Sequence, residues 1–525
     1  MTTRPKTDPF DMSRRSMLRL GVAGGVLMMS PAAFAASGGD PDAKRGGTLT
    51  IGADADPIGL DPVTNTAFSS GDFTGLLYTG LLRWSPDMQI EPDLATGYEM
   101  PDETTYVFTL RDGVTFHNGQ AFSAEDVKHT FDRIMDPATG ARWASSYSSI
   151  ESVTVKDPLT VEFKLKTPDA AFLRYLATNP AGAIVPQGVE DLVTQPVGTG
   201  PFMFESYEPN REFVLVANPN YYEDGQPYLD KVIFRFFKDQ SALASALRSR
   251  SIDMTWLKNP KVADLITRTQ PDLVSAPGQT SRTFPVWFNL KAAPMNDVNV
   301  RRALSLATDR QACLDTVLGG SGKVGAALPE SQIGGYDGTS DLPYYGQDIE
   351  GAKKLLAEAG HPDGIDLGDY IVVAANDLDV ACAQILQQQW AQAGINVNIK
   401  PTETAPLLEM WNKGTYSTLL SVADSWTPDP DAIFLRMSSR GTFGANMGMD
   451  DEAMDQMIAE ARTITDPEKR AAANQDIQRR IADQAYVLHI YQYPLRWEAW
   501  WNYVQGYHAL AANTRTYVRT TWIDK

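Results

Sequence analysis

The clearest hydrophobic pattern lies over residues 104–122. Tyr106, Phe108 and Leu110 alternate with Val107 and Thr109, the period of two expected of a half-buried strand. Arg111-Asp112-Gly113 breaks the run and Val114-Thr115-Phe116 resumes it. Asn118-Gly119 then supplies a turn that tolerates positive φ, so the segment reads as a hairpin. Ser123 follows as an N-cap, with Glu125 and Asp126 in the first turn, where the helix dipole favours acids. Val127, Phe131 and Ile134 recur at spacings of four and three and predict a helix there.

Other segments repeat this grammar. Gly47 to Gly52 is a short β-prone run and a candidate first strand. Val300, Leu304 and Ala307 share one face of a helix predicted over 299–310. A helix over 350–359 ends at Gly360, a C′ residue. Another over 378–393 stops at Gly394, after which Ile395, Val397 and Ile399 alternate with asparagines like a strand. Asp466 caps a helix that begins with Pro467 and runs to about Gln484. Helix, glycine, strand is the connection of α/β layers, and no low-complexity segment, charge run or short repeat interrupts it.

Composition agrees with a globular chain. Its 525 residues are 43% hydrophobic and 21% charged, enough for about two to four domains without disulfide or metal staples. The formal net charge is -19, and -22 without residues 1–35. Such a surface repels phosphate backbones and anionic lipid heads, which argues against nucleic-acid and membrane-surface binding. Cys313 and Cys382 are the two cysteines; a disulfide and two buried free thiols both remain open. With five histidines and no metal-type cysteine spacing, no His/Cys cluster is available, and no cofactor is expected.

The N-terminus reads as an export signal. Ser13-Arg14-Arg15-Ser16-Met17-Leu18-Arg19 precedes a mostly apolar stretch to about Phe34, then the small-x-small pattern Ala33-Phe34-Ala35. The paired arginines resemble the twin-arginine type, which exports folded proteins. The apolar stretch, about 15 residues interrupted by glycines and Pro31, is short of the ~20 a permanent span needs. No cysteine follows it, so no lipid anchor is expected. The expected product is soluble, periplasmic and unanchored.

Several segments resemble one family in order. Tyr106 to Gly119, continued by Phe122-Ser123-Ala124-Glu125-Asp126-Val127, is similar to the signature of the extracellular solute-binding proteins of family 5, the dipeptide, oligopeptide and nickel type. Leu60-Asp61-Pro62, Gly80-Leu81-Leu82, Val197-Gly198-Thr199-Gly200-Pro201-Phe202, Asn218-Pro219-Asn220-Tyr221-Tyr222, Phe288-Asn289, Val300-Arg301-Arg302-Ala303-Leu304 and Asp429-Pro430-Asp431 agree too, together covering nearly all of 46–510. The resemblance implies an α/β, two-lobed, type II periplasmic binding fold with an additional inserted α+β domain. Lobe I would comprise 46–82, 189–283 and 489–525, the inserted domain 83–188 and lobe II 284–488. A small peptide-like ligand would be enclosed between closing lobes and passed to the permease subunits of an ABC transporter in the inner membrane. A monomer is expected.

The resemblance also directs the search for ligand contacts. Asp424 is the first candidate, because peptide-binding relatives place an acid at the end of this strand to meet an α-ammonium, a charge-assisted hydrogen bond. Ser425-Trp426-Thr427-Pro428 departs from the pattern, and the equivalence could shift to Asp429. Trp426 in the same loop suits a binding wall. Trp143, beside Arg142, is expected to face the cleft, as is Trp287 near a lobe crossing. Asn289 could bond ligand or cap its turn. Asn65 and Phe68 follow Leu60-Asp61-Pro62, and Arg440 could meet a ligand carboxylate. Trp497, Trp500 and Trp501 are expected to pack the core.

Two other functions compete. An exported hydrolase would need a nucleophile and base, but no Gly-x-Ser-x-Gly elbow is present and the histidines lack a motif context; His489 reads as core. The same fold could bind a metal chelate, haem, or an opine or sugar conjugate, although the scarcity of histidine argues against direct metal ligation. The expectation is a binding protein, not an enzyme.

Overall fold

A computed structural model describes residues 42–64, 70–277, 281–328, 335, 341–422, 424–425, 429–494, 497–509 and 516–525. The expected signal segment 1–35, Asn65, Phe68 and Trp426 lie outside them.

Three sheets carry the architecture. In the first, the strands run in the order Leu273–Pro277, Trp497–Trp501, Met254–Leu257, Thr48–Ala53, Lys231–Phe236, Glu212–Ala217, Phe202–Glu208. Thr48–Ala53 is parallel to both neighbours, and the outer pairings are antiparallel. In the second, the order is Lys323–Val324, Val487–Pro494, Ser281–Phe288, Leu419–Leu420, Ile365–Val373, Ile395–Thr402, with Asp424–Ser425 added beside Ser281–Phe288. The third is a four-stranded antiparallel sheet in the order Ala95–Asp102, Thr105–Leu110, Thr160–Leu165, Ile150–Asp157. Mixed helices and sheets in this arrangement form the two-lobed α/β fold with an inserted domain.

One apolar core joins the first and third sheets: Leu49, Ile51, Phe213 and Phe234 belong to the same buried cluster as Phe108, Phe131 and Phe163. The second sheet has cores on its two faces. Phe284, Val286 and Phe288 point to one, and Trp287 points to the other, as strand alternation dictates.

The helices obey their caps. The helix Ala124–Met135 begins at Ser123, whose N–H is accepted at 2.9 Å by Asp126, the returning half of a capping box. Pro467–Asp483 begins at Asp466, whose carboxylate accepts the Lys469 N–H. The helix predicted over 299–310 is Val298–Leu306, ending a turn early; a second helix, Arg310–Leu318, begins after Asp309, which caps it by accepting the Ala312 N–H.

The chain passes between the two lobes at two places, and the strand ends that flank them are paired. Pro277 pairs with Trp497 in the first sheet, and Ser281 pairs with Pro494 in the second. The crossings therefore lie at 277–281 and 494–497. The boundaries at 283/284 and 488/489 that the resemblance implies lie within a few residues of these crossings, inside the strands Ser281–Phe288 and Val487–Pro494.

Candidate functional site

The second sheet brings its polar residues to the end that adjoins the crossings. Asp424 stands opposite Thr283 in the backbone register, and Thr283 stands opposite Gln492 on its other side. The Gln492 amide donates to the carbonyls of Ala326 at 3.1 Å and Leu328 at 2.9 Å. Thr283 is 1% exposed, and its hydroxyl makes no hydrogen bond. A buried hydroxyl without a partner carries a desolvation cost that a bound polar group would relieve.

Beyond the Asp424 strand the chain enters a buried ion cluster. Asp429 is held by a two-pronged contact from Arg470, at 2.6 and 2.8 Å, and lies 3.2 Å from Arg174 Nε. Its Oδ1 also accepts the Asp431 N–H. Asp431 accepts the Tyr175 hydroxyl at 3.0 Å. Arg462 Nε lies 2.8 Å from its other oxygen, a close ion pair off the hydrogen-bonding angle. Burial pushes the Asp431 carboxyl up to about 7, against the pull of Arg462. Asp169 accepts the Ser149 hydroxyl at 2.6 Å and pairs with Arg462 at 3.2 Å.

Trp143 is half-buried against the core shared by the first and third sheets, with the Arg142 guanidinium 5.0 Å from its ring centre. Its indole N–H is buried and unpartnered. The Arg142 N–H donates to the Val63 carbonyl, which places Trp143 beside the loop leading to Asn65 and Phe68.

Trp287 and Asn289 are engaged within the second lobe. Trp287 is 1% exposed and packs against Trp411 and Phe443, with ring centres 5.0 and 5.1 Å away. Its indole donates to the Val422 carbonyl at 2.9 Å, so it props the chain two residues before Asp424 instead of lining a cleft. Asn289 caps its turn: its amide donates to the Tyr416 carbonyl at 2.6 Å and accepts the Lys291 N–H at 3.2 Å. Arg440 is exposed on the turn between the helices Asp431–Met437 and Thr442–Met447.

The signature hairpin is structural. His117 Nδ1 accepts the Gly198 N–H at 3.3 Å and its Nε2 contacts the Gly200 carbonyl at 3.1 Å; burial pushes its pKa down to about 4. A Cβ at Gly198 would stand 2.1 Å from the Leu77 carbonyl oxygen, so only glycine fits that approach. His489 is buried, and desolvation with Arg310 nearby lowers its pKa to about 3. Cys313 and Cys382 are free and buried. Among the described residues no group of three or more His, Cys, Asp and Glu could hold a metal ion, and no helix is long and apolar enough to cross a membrane.

The family model for bacterial extracellular solute-binding proteins, family 5, matches residues 89–445. The chain belongs to this family. Di/tripeptide-binding protein 2 of Pseudomonas aeruginosa is 28% identical over 546 residues, covering 97% of this chain and 99% of the relative. Among solved structures, the periplasmic binding protein DppA of Helicobacter pylori, in complex with the peptide STSA, is 25% identical with a TM-score of 0.79, over 92% of this chain and 99% of that one. AgaA of A. tumefaciens R10, in complex with agropinic acid, is 26% identical with a TM-score of 0.78, over 91% of this chain and 99% of that one. As a family 5 protein, the chain is a substrate-binding component of ABC import.

Sequence reasoning missed Thr283 and the cluster partners Asp169, Arg174, Tyr175, Arg462 and Arg470. The strongest overlooked signal is in the helix Pro467–Asp483, where Arg470, Asn474 and Gln478 recur every four residues and all are buried.

Proposed function

We propose that the chain encloses a small peptide or peptide-like solute between its lobes and delivers it to the permease subunits of an ABC importer. Asp424 would meet the ligand's ammonium, and the unpartnered Thr283 hydroxyl across the register would take a second polar contact. The observation that carries this reading is electrostatic. Asp429, the other acid in the loop, is already neutralised by Arg470 and Arg174, which leaves Asp424 as the acid for a cationic ligand. Trp143, with its unpartnered indole N–H, would stand on the wall opposing Asp424; Asn65, Phe68 and Trp426 remain proposed contacts from the sequence. Arg440 remains a candidate for a ligand carboxylate.

The peptide class is supported by a di/tripeptide-binding relative across almost the whole chain and by a neighbour solved with a peptide. An opine-like conjugate is the second reading, supported by the neighbour solved with agropinic acid. Action by binding rather than catalysis is supported by membership of a solute-binding family, and by a His117 ring that is buried and hydrogen-bonded to Gly198 and Gly200. Twin-arginine export of residues 1–35 would deliver it, folded and monomeric, to the periplasm.

Native mass spectrometry of the protein purified from its own cells, followed by denaturation, identifies the ligand. A released di- to oligopeptide is the expected result. A released opine conjugate or haem, with no peptide, replaces the peptide reading.

A further inference from the structure

The buried ion cluster spans two bodies of the protein. The inserted domain contributes Asp169 and, from the helix Phe172–Leu176, Arg174 and Tyr175. The second lobe contributes Asp429, Asp431, Arg462 from the helix Glu452–Thr463, and Arg470 from the helix Pro467–Asp483. Four contacts cross between them. Arg174 reaches Asp429 at 3.2 Å, Arg462 reaches Asp169 at 3.2 Å, and Tyr175 donates to Asp431 at 3.0 Å. The Ala170 N–H donates to the Arg462 carbonyl at 2.9 Å. Asp169, Asp429 and Asp431 are each at most 3% exposed. Ala432, the second residue of its helix, also packs against the apolar core of the other body.

The inserted domain and the first-lobe sheet share one core and form one body. The second lobe is tied to that body by the crossings at 277–281 and 494–497, and by an apolar cluster that joins Leu257, Leu273 and Trp497 of the first sheet to Phe284 and Val286 of the second. A rotation that opens the lobes pivots on that shared cluster. It must, however, part Arg174 from Asp429, Arg462 from Asp169 and Tyr175 from Asp431.

We propose that this cluster is a latch, which holds the lobes shut and must be taken apart and rehydrated each time the cleft opens. It therefore governs how long a bound solute is retained. The proposal builds on the reading of the space between the lobes as the ligand site, but the latch itself acts with or without ligand.

Asp431 makes the latch sensitive to pH. It is faced by Arg462 from one helix, Tyr175 from another, Asp169 from the segment before that helix, and Asp429 from its own loop, with Arg174 and Arg470 bound to Asp429 behind it. Burial raises its pKa to about 7 in the closed form. In an open cleft it regains water and the ordinary carboxylate value near about 4. The closed form therefore binds the extra proton. Closure gains strength as pH falls through about 7, gains no more below about 4, and loses that contribution above 7.

The test is double electron–electron resonance on the ligand-free mature protein, with spin labels on cysteines placed at Lys156 in the inserted domain and Lys354 in the second lobe. Both native thiols are buried, so labelling is selective. From about pH 8 to about pH 5.5 the closed-to-open ratio should rise ~10- to 30-fold by linkage. Asp431→Asn, a neutral stand-in for the protonated acid, should be as closed at pH 8 as the wild type at pH 5.5 and lose the pH response. Tyr175→Phe removes one crossing hydrogen bond with little risk to folding, and should favour the open form by about two- to tenfold. Wild-type pH dependence in Asp431→Asn, or unchanged distances in Tyr175→Phe, overturns the latch. A latch that responds as described in a protein that binds no peptide would count against the ligand reading alone.

Discussion

Asp424 and Thr283 carry the binding account at the level of single residues. They share one register position on neighbouring strands, beside the crossing where the lobes meet. If Asp424 meets an ammonium in an enclosed site, Asp424→Ala should weaken peptide binding by about 30-fold or more, the cost of leaving a buried charge unpaired. Thr283→Val offers a finer measurement. The wild-type hydroxyl has no partner in the free protein, so its replacement by a methyl should leave the melting temperature unchanged or slightly raised. Peptide affinity, read by calorimetry, should fall about two- to tenfold, and Thr283→Ser should restore it. A clear drop in melting temperature with unchanged affinity would mean that the hydroxyl serves the fold.

At the level of elements, what was legible in the sequence depended on where polar side chains point. The strand Thr105–Leu110 and the helix after Ser123 could be read directly, because alternation and capping are local; the strand's partners, Ala95–Asp102 and Thr160–Leu165, are not the segment after the Arg111-Asp112-Gly113 break. The helix Pro467–Asp483 was placed correctly by its cap and proline, but its buried face was not. Arg470, Asn474 and Gln478 look like a solvated stripe, yet they face inward because Asp429 and the Leu328 N–H wait there as partners. Such pairing is long-range and leaves no periodic trace. Trp287 erred in the other direction: a tryptophan near a crossing suggests a ligand wall, but strand alternation turns it into the second sheet's core. The Arg470 pairing has a measurable consequence. Arg470→Met removes the two-pronged partner of Asp429 and leaves Arg174 as its remaining cation, and should lower unfolding stability by about 1.5–3 kcal/mol in urea titration. Adding Asp429→Asn should recover part of that loss, since the buried carboxylate is then no longer short of charge compensation.

At the scale of the whole molecule, two bodies meet at a double crossing and at a buried ion cluster, and the polar end of the second sheet lies by the crossing. The family assignment accounts for the fold and for substrate binding in ABC import. In the proposed site, Asp429 is neutralised by Arg470 and Arg174, and the backbone register sets the Asp424 position opposite Thr283. The proposal is that this arrangement takes a ligand with a cationic end. The most direct measurement is calorimetric titration of trialanine and N-acetyl-trialanine into the wild-type protein and Asp424→Ala. The account predicts that the wild type binds trialanine, and that acetylation and Asp424→Ala each weaken binding by about 30-fold or more. Equal binding of the two peptides, or unaltered trialanine binding by Asp424→Ala, would contradict it.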